Sequence, residues 1–320
     1  MADETAGDPM KALKWTRKST RKASRELKRR KILASPRTVA RLLKKHLHFS
    51  LKGNRKAIAE TQHPDRERQF QYIAKTRKRF AAAGEPEISV DAKKKELIGN
   101  FYNPGRAWRR LVDKVGDHDF RSTAIAITTP YGIYEKRANR GFVVVGTSHD
   151  TAEFAVDNIV SWLKNSGTRR YRKIKELLIL CDTGGSNGYR CRVWKHAIQQ
   201  RLCDAFGISV TVCHYPTGAS KWNPIEHHLF SQISINWAGK PLRSLEIMLK
   251  YIRTTKTQTG LTVRARLNEK KYFTRIKIDD DQMAEINIRK HKVLPNWNYT
   301  IYPTGYGWNA KSTSSKKETA

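Results

Sequence analysis

Acidic residues are scarce in this 320-residue chain, which has 29 Asp and Glu against 63 Lys and Arg. The formal net charge is therefore +34, and the pI is about 10.2. A surface this basic attracts polyanions and favours nucleic acid over a membrane as the partner. Hydrophobic residues make up 38% of the chain, which is below the average globular share but enough for a core. The length allows two domains, or one large domain with a smaller unit attached.

Long apolar runs, paired cysteines and a secretion signal are also missing. The longest apolar runs, at residues 176–181 and 142–145, are too short to span a bilayer. The N-terminal sequence MADET lacks the basic start and the apolar stretch of a signal peptide. The four cysteines include no CxxC pair, so we expect reduced, buried thiols rather than a zinc site. These absences predict a cytosolic protein.

The positive charge is concentrated near the N-terminus. Residues 11–80 contain 24 Lys and Arg against 4 Asp and Glu. Residues 1–10 are acidic and small, and we expect them to be disordered. The pattern then predicts one helix over residues 19–31. Ser35 followed by Pro36 is typical of the start of a second helix.

Two short helices with a basic outer face indicate a helix-turn-helix region over residues 11–48, with the second helix reading the major groove. We expect Val39, Leu42 and Leu43 to face inward. The candidate DNA-binding residues of this helix are Arg37, Thr38, Arg41, Lys44 and Lys45. The alternative is an ordinary helical pair with a solvated basic face, since charge alone gives only non-specific affinity.

The rest of the chain alternates strand and helix patterns. Residues 49–85 are predicted to form a linker and a connecting helix. Residues 86–255 give three strands, a helix, a strand, a helix, a strand and a helix. This order predicts an α/β fold with an RNase H-like mixed sheet flanked by helices. We expect residues 256–310 to form a C-terminal extension and residues 311–320 to form a disordered tail.

Three acidic residues occupy positions where an α/β sheet commonly carries its site. Asp91 and Asp182 each follow a short apolar strand, and the carboxyl ends of strands are the usual place for a site. Glu226 lies in the first turn of a predicted helix. Three converging carboxylates suit two Mg²⁺ ions about 3.5–4 Å apart, which activate one oxygen and stabilise another during phosphodiester cleavage. The sequence therefore predicts that Asp91, Asp182 and Glu226 are catalytic, metal-binding residues of a protein that cuts and joins DNA.

Each acid also has a purely structural interpretation. Asp91 precedes three lysines and could pair with them at the surface. Asp182 precedes two glycines and could form a turn. Glu226 fits a capping box with Asn223 at the start of its helix. Asp150 and the residues after it also fit a capping box, and we assign Asp150 only that role.

Residues just before the Glu226 helix are candidate DNA contacts. Lys221 and Trp222 could contact the DNA backbone and a flipped or stacked base, respectively. Alternatively, Trp222 packs the start of the helix. His214, together with His227 and His228, is expected to be solvated or to face DNA rather than to bind metal.

Six runs of sequence are long enough to be specific. The three that carry the acids are residues 88–100 (ISVDAKKKELIGN), 182–188 (DTGGSNG) and 220–230 (SKWNPIEHHLF). Three further runs are residues 149–155 (HDTAEFA), 236–242 (NWAGKPL) and 297–301 (WNYTI). Together they resemble the DDE transposases of the Rhodopirellula type, from insertion sequences distantly related to the mariner-like group. The resemblance extends from about residue 8 to residue 303.

The resemblance implies a DNA transposase that hydrolyses and transfers strands at the ends of an insertion sequence. On its RNase H-like fold, Asp91, Asp182 and Glu226 would hold two Mg²⁺ ions, for which we expect Mn²⁺ to substitute. The implied partners are double-stranded DNA, both at the terminal inverted repeats and at the target, and a second copy of the chain. We expect a homodimer on DNA because two element ends must be held together. The implied location is the bacterial cytoplasm, in association with the nucleoid.

The chain also departs from the family pattern. Members usually carry more chain before the residue numbered 8 here, so we expect this copy to be shorter at its start. Relatives tend to have a proline at position 217 and a threonine at position 219, where this chain has Thr217 and Ala219. One alternative is therefore a catalytically inactive, decayed transposase that binds its own ends as a repressor. Another is a nuclease that is indifferent to sequence.

Overall fold

The computed structural model describes residues 5–7, 14–16, 18–51, 63–219 and 222–305. The chain separates into two compact units, residues 1–58 and residues 59–320, and each is described by itself. Within the described ranges, none of the helices combines the length and the apolar character that crossing a membrane requires.

The smaller unit begins with a short strand pair. Strands β1 (Thr5–Gly7) and β2 (Lys14–Thr16) pair in antiparallel orientation. Of residues 1–10, for which the sequence predicts disorder, the structure describes residues 5–7 and places them in this strand pair.

Helices α1 (Thr20–Arg29) and α2 (Pro36–Lys45) form the predicted helical pair and contact each other. The Ser35 hydroxyl accepts a hydrogen bond of 3.1 Å from the N–H of Thr38, and Pro36 opens the helix, so the predicted start of α2 is confirmed. Val39 is buried as expected, but Leu42 is 40% exposed. In helix α1 only the small Ala23 is buried, so α1 buries little apolar surface.

The larger unit is built on a nine-stranded mixed sheet. Its strands are β3 (Glu87–Ala92), β4 (Glu96–Ile98), β5 (Ala126–Glu135), β6 (Arg140–Gly146), β7 (Glu176–Cys181), β8 (Ser209–His214), β9 (Thr262–Asn268), β10 (Ile288–Lys290) and β11 (Asn298–Ile301). Their order across the sheet is β10-β11-β8-β7-β3-β5-β6-β9, and β4 pairs with β5. Strands β3, β7 and β8 run parallel, whereas β3, β5 and β6 pair in antiparallel orientation. The predicted fold class, an RNase H-like mixed sheet flanked by helices, is confirmed.

Helices cover both faces of this sheet. They are α3 (Arg66–Ala82), α4 (Ala152–Trp162), α5 (Thr168–Arg170), α6 (Arg192–Ile198), α7 (Ser231–Asn236), α8 (Leu245–Arg253) and α9 (Asp280–Ala284). Three π-helical segments extend them: Leu163–Gly167 joins α4 to α5, Gln199–Asp204 continues α6, and Glu226–Phe230 leads into α7.

Strand β7 shows why the sequence has an uninterrupted apolar run. Leu177, Ile179 and Cys181 belong to the core cluster that includes residues of α4 and α6. Leu178 and Leu180 point to the opposite face, where they pack with residues of α3. A strand buried on both faces needs apolar residues at every position, and a parallel sheet supplies such a setting.

The C-terminal extension is part of the sheet rather than an appendage, which corrects the expected boundary at residue 255. Strand β9 pairs parallel to β6 at one edge. At the other edge β11 pairs with β8, and β10 pairs with β11. These pairings join residues far apart in sequence, which a local pattern does not reveal. Residues 306–320 lie outside the described residues, and so does most of the expected linker.

Strand β5 is longer than the pattern predicts. The sequence pattern indicates strand over residues 123–127 and 132–135 only. The structure instead has one strand, in which Pro130 lies between the stretches that pair with β4 and with β3. On that side the carbonyl of Pro130 accepts a hydrogen bond of 2.8 Å from the N–H of Lys93. Pro130 lies opposite Lys93, one residue beyond the end of β3, so the proline stands where the pairing with that strand stops.

A glycine sets how closely the Glu226 segment approaches the sheet. Gly132 of β5 lies directly opposite Asp91 of β3. A Cβ atom at Gly132 would lie 2.6 Å from the Phe230 ring and 2.9 Å from the side chain of Ile225. Both neighbours belong to the helical segment that carries Glu226, so only glycine allows this approach.

We therefore expect Gly132→Ala to lower the free energy of unfolding by about 1–3 kcal/mol, because the added methyl group overpacks this contact. The measurement is chemical denaturation of the purified protein. Gly184→Ala is the control, since a Cβ there would meet no atom within 4 Å. Equal stability of the two variants would contradict the close approach.

Candidate active site

The parallel pairing of β3 with β7 brings Asp91 and Asp182 together. Glu87 is paired with Leu178 and Ser89 with Leu180, which is an offset of 91 residues in both cases. Extending this register by two residues places Asp91 level with Asp182, at the carboxyl ends of both strands. The sequence prediction that these acids meet at this edge is in accord with the register.

The alternation along each strand puts both acids on the same side of the sheet. Ile88 and Val90 belong to the core cluster on the α4 side, so Asp91 faces the opposite side. Leu180 packs with residues of α3 on that opposite side, and Asp182 lies two residues further along. The alternation of buried residues along β7 therefore places Asp182 on the α3 side of the sheet.

Glu226 approaches from the helical segment above this edge. It is the first residue of the π-helical segment Glu226–Phe230, immediately after Ile225. The capping-box interpretation of Glu226 is not supported, because the side chain of Asn223 is engaged elsewhere. The amide nitrogen of Asn223 donates to Oδ1 of Asp182 over 3.1 Å, and its amide oxygen accepts from the Ser89 hydroxyl.

Asn223 is a site residue that the sequence reasoning used only as a helix cap. It is completely buried and links strand β3 to the acid that ends β7. A neutral amide can orient a carboxylate without neutralising it. The signal in the sequence was an Asn three residues before Glu226, which is ambiguous because Asn is also a preferred N-cap.

The environment of Asp91 is strongly unfavourable to its charge. Burial, followed by repulsion from Asp182 and by Glu226, raises the pKa of Asp91 to about 8, against a lowering effect of the Ala92 N–H. Asp91 also forms a hydrogen bond with Glu226. Burial raises the pKa of Asp182 as well, while the hydrogen bond from Asn223 opposes the shift. Asp91 therefore lies close enough to both other acids to feel their charges.

The lysines that follow Asp91 do not neutralise it. Lys93 is buried, pairs with Glu96 and lies over the ring of Trp237. Lys95 is exposed. The interpretation of Asp91 as a surface partner of these lysines is therefore wrong, because Lys93, the nearest of them in sequence, is paired with Glu96.

A buried chain of neutral hydrogen bonds fixes the backbone at Asp182. Nδ1 of His214 donates to the carbonyl oxygen of Asp182 over 2.9 Å. Burial lowers the pKa of His214 to about 4, so this ring is neutral at pH 7. Tyr299 donates its hydroxyl to Nε2 of His214 and accepts from the indole N–H of Trp194. The expectation that His214 is solvated or faces DNA is therefore wrong.

An open cleft of about 340 Å³ lies at this edge of the sheet. Its lining includes Asp91, Asp182 and Asp150, together with the loop at Gly184 and Gly185. Asp150 does not cap α4, contrary to our assignment. The cap is Thr151, whose hydroxyl accepts from the N–H of Phe154 over 3.2 Å. A one-residue shift of the cap leaves Asp150 free to face the cleft, and sequence alone does not fix such a shift.

The three predicted acids cluster, but they do not form a ready-made metal site. Within the part of the chain that the structure describes, no three His, Cys, Asp or Glu side chains are arranged to hold a metal ion. Asp91 accepts from the N–H of Ala92 and Asp182 from Asn223. The chemistry of the donors nevertheless fits Mg²⁺ or Mn²⁺, which prefer carboxylate oxygens and would relieve the repulsion that raises the pKa of Asp91.

The predicted DNA-binding residues lie in two places. In α2, Arg37, Arg41, Lys44 and Lys45 are exposed, and the Thr38 hydroxyl is 2.9 Å from that of Ser35. Lys221 lies outside the described residues.

Trp222 packs against α3 and is also accessible. The guanidinium of Arg66 lies 4.3 Å from the centre of a Trp222 ring, and the Phe70 ring lies 6.1 Å away. Trp222 nevertheless keeps 47% of its surface exposed. Both interpretations of this residue, packing and DNA contact, are compatible with this position.

Comparisons with known proteins give one family and one set of solved structures. A family model described as "Rhodopirellula transposase DDE domain" matches residues 1–303. The chain is similar to the "Mos1 transposase paired-end complex with left transposon end", with 14% identity and a TM-score of 0.45, covering 73% of this chain and 65% of that one. It is similar to the "Mos1 Strand Transfer Complex" at 14% identity and a TM-score of 0.45, covering 73% and 64%. The chain thus spans less than two thirds of those proteins. No curated protein matches it significantly.

The raised pKa of Asp91 predicts how stability depends on pH in EDTA. The pKa of about 8 in the folded state exceeds the ordinary value of 3.8. Its contribution to stability is thus complete below pH 3.8 and is lost as the pH rises to about 8. The loss is at most about 1.4 kcal/mol per pH unit in this window. We expect Asp91→Asn to remove this slope, as measured by urea denaturation between pH 5 and pH 8.

Glu176→Gln provides the control, because Glu176 lies at the opposite end of β7 and pairs with Arg79 at the surface. This variant should keep the slope of the original chain. An Asp91→Asn slope as steep as that of Glu176→Gln would show that Asp91 is not the titrating group.

Proposed function

This chain belongs to the Rhodopirellula transposase DDE domain family, and we propose that it cuts and joins DNA at the ends of an insertion sequence through Asp91, Asp182 and Glu226. The observation that carries the proposal is the closeness of Asp91 to Asp182 and Glu226: burial first, and then these two acids, raise the pKa of Asp91 to about 8. Buried acids with strongly perturbed pKa values in a cleft are typical of functional sites.

We propose that Asp91, Asp182 and Glu226 hold two Mg²⁺ ions, for which Mn²⁺ can substitute. When bound, the ions would activate an attacking oxygen and neutralise charge at the scissile phosphate. The protein's own contribution is positioning. Asn223 orients the carboxylate of Asp182, and His214 fixes its backbone carbonyl. Precise placement of this kind can supply several kcal/mol of rate acceleration.

The proposed partner is double-stranded DNA, at the terminal inverted repeats and at the target. In α2, the exposed side chains of Arg37, Arg41, Lys44 and Lys45 supply the charge, and the first turn with Thr38 would enter the major groove as in a helix-turn-helix. Trp222 and Lys221 are proposed to contact DNA beside the acids. Because two ends must be joined, we propose a homodimer on DNA.

The first test is cleavage of DNA that carries the ends of the encoding element, in Mg²⁺. We expect the original chain to cut it and Asp182→Asn to lose about 100-fold or more in rate. This loss corresponds to the few kcal/mol of transition-state stabilisation that a metal site supplies. The measurement is gel analysis of end-labelled duplex under single-turnover conditions.

Glu176→Gln is again the matched control, since it removes an acid from the same strand at the end remote from the cleft. It should cleave at the original rate. Cleavage retained by Asp182→Asn would reject the assignment. Sequence-selective binding without cleavage by the original chain would favour the inactive, repressor-like alternative, and equal cutting of random DNA would favour a general nuclease.

The second test concerns α2. Each phosphate contact contributes about 0.9 to the slope of log affinity against log salt. We expect the double variant Arg37→Ala, Arg41→Ala to bind end DNA more weakly and to lower that slope by up to about 2 in fluorescence anisotropy titrations. The control removes the same charge from α1, by Arg25→Ala and Lys28→Ala, both at exposed positions. Equal losses in the two double variants would contradict a specific role for α2.

A further inference from the structure

Asp150 is placed at the cleft by the start of α4. The residue precedes the cap, Thr151, so its side chain is not used to satisfy the first turn of the helix. The strand before it, β6, belongs to the same sheet as β3 and ends at Gly146. Asp150 is therefore brought to the edge where β3 and β7 end, and it lines the cleft together with Asp91 and Asp182.

One carboxylate oxygen of Asp150 has no partner. Its Oδ1 atom is buried and accepts no hydrogen bond in the described structure. Burial raises the pKa of Asp150, against smaller opposing effects of the Ser186 hydroxyl and of Lys95. Buried polar atoms are nearly always paired, and an unpaired one calls for an explanation such as a bound ion.

The surroundings of Asp150 connect it to the other acids. The buried hydroxyl of Tyr131 is close enough to feel the charges of both Asp150 and Asp91, and it donates to Asn187 over 3.1 Å. Asn187 also lines the cleft. The only cation acting on Asp150 in the described residues is the exposed Lys95, and such surface pairs contribute little.

We propose that Asp150 is a fourth carboxylate of the cation site, which binds a divalent cation together with Asp91 and Asp182. This inference rests on the proposed function and extends it by one residue. A cation at the cleft would give the buried Oδ1 atom the partner that it lacks, and an oxygen donor suits Mg²⁺ or Mn²⁺.

The test measures metal binding without DNA and without turnover. Mn²⁺ is titrated into the full chain, and free Mn²⁺ is followed by electron paramagnetic resonance. We expect Asp150→Asn, which keeps the size of the side chain, to weaken Mn²⁺ binding roughly tenfold or more, the lower end of losses at supporting metal-site residues. Glu153→Gln is the control, because Glu153 lies three residues after Asp150, in the first turn of α4, but pairs with Arg201. It should bind Mn²⁺ within about twofold of the original chain, since no cleft acid is removed.

Thermal unfolding in EDTA separates a metal-binding role from a structural one. Thr151→Ala should lower the melting temperature through loss of the cap. Asp150→Asn should be as stable as the original chain or more stable, because it removes the charge of a carboxylate whose Oδ1 atom is buried without a partner. Unchanged Mn²⁺ affinity in Asp150→Asn would overturn the inference, with or without a loss of stability.

Asp182→Asn distinguishes this inference from the proposed function. If Asp182→Asn weakens Mn²⁺ binding and Asp150→Asn does not, the fourth carboxylate is rejected and the proposed site stands. If the original chain binds no Mn²⁺, both are rejected.

Discussion

Repulsion among buried carboxylates is the constraint that the larger unit has to overcome. Asp91 lies close to two other acids, and several kcal/mol is the usual effective penalty for burying an ion without a compensating partner. The strands that end in these acids provide the opposing free energy. Burying each Leu or Ile stabilises by about 1.5–3 kcal/mol, and β7 buries four such side chains completely. The two effects are of the same order, so the apolar run over residues 177–181 can offset the cost of holding an acid at its end.

The groups that hold the acids in place are neutral. Asn223 orients Asp182, and the chain from Trp194 through Tyr299 to His214 fixes the backbone beside it. An arginine in the position of Asn223 would pair with Asp182 and stabilise its charge. The amide instead leaves the negative charge of the acids uncompensated. His214 also adds no positive charge, because burial lowers its pKa to about 4 and its ring stays neutral.

Local patterns predicted the parts of this fold that depend on local physics. The apolar run before Asp182, the helix start at Ser35–Pro36 and the order of strands and helices all follow from burial, capping and periodicity. The parts that failed depend on partners distant in sequence. Strand β11 needs β8, and Pro130 is tolerated only because of where β3 and β4 end. The sequence pattern does not distinguish a helix cap at Asp150 from one at Thr151. Because the cap is Thr151, the side chain of Asp150 is left to face the cleft.

The total charge of the chain and the local charge of the cleft have opposite signs, and this difference has a chemical consequence. The net charge of +34 favours polyanions such as DNA, but a phosphate that reaches the cleft meets Asp91 and Asp182. Among the described residues, the buried Lys93 does not remove this repulsion, because it is paired with Glu96. In the proposed reaction, a divalent ion from solution would supply positive charge at the cleft. Carboxylate oxygens alone can hold a divalent ion, and the ion keeps open coordination positions for a phosphate oxygen. A lysine ammonium group has no such positions. The basic surface and the acidic cleft are thus complementary requirements of the same proposed reaction.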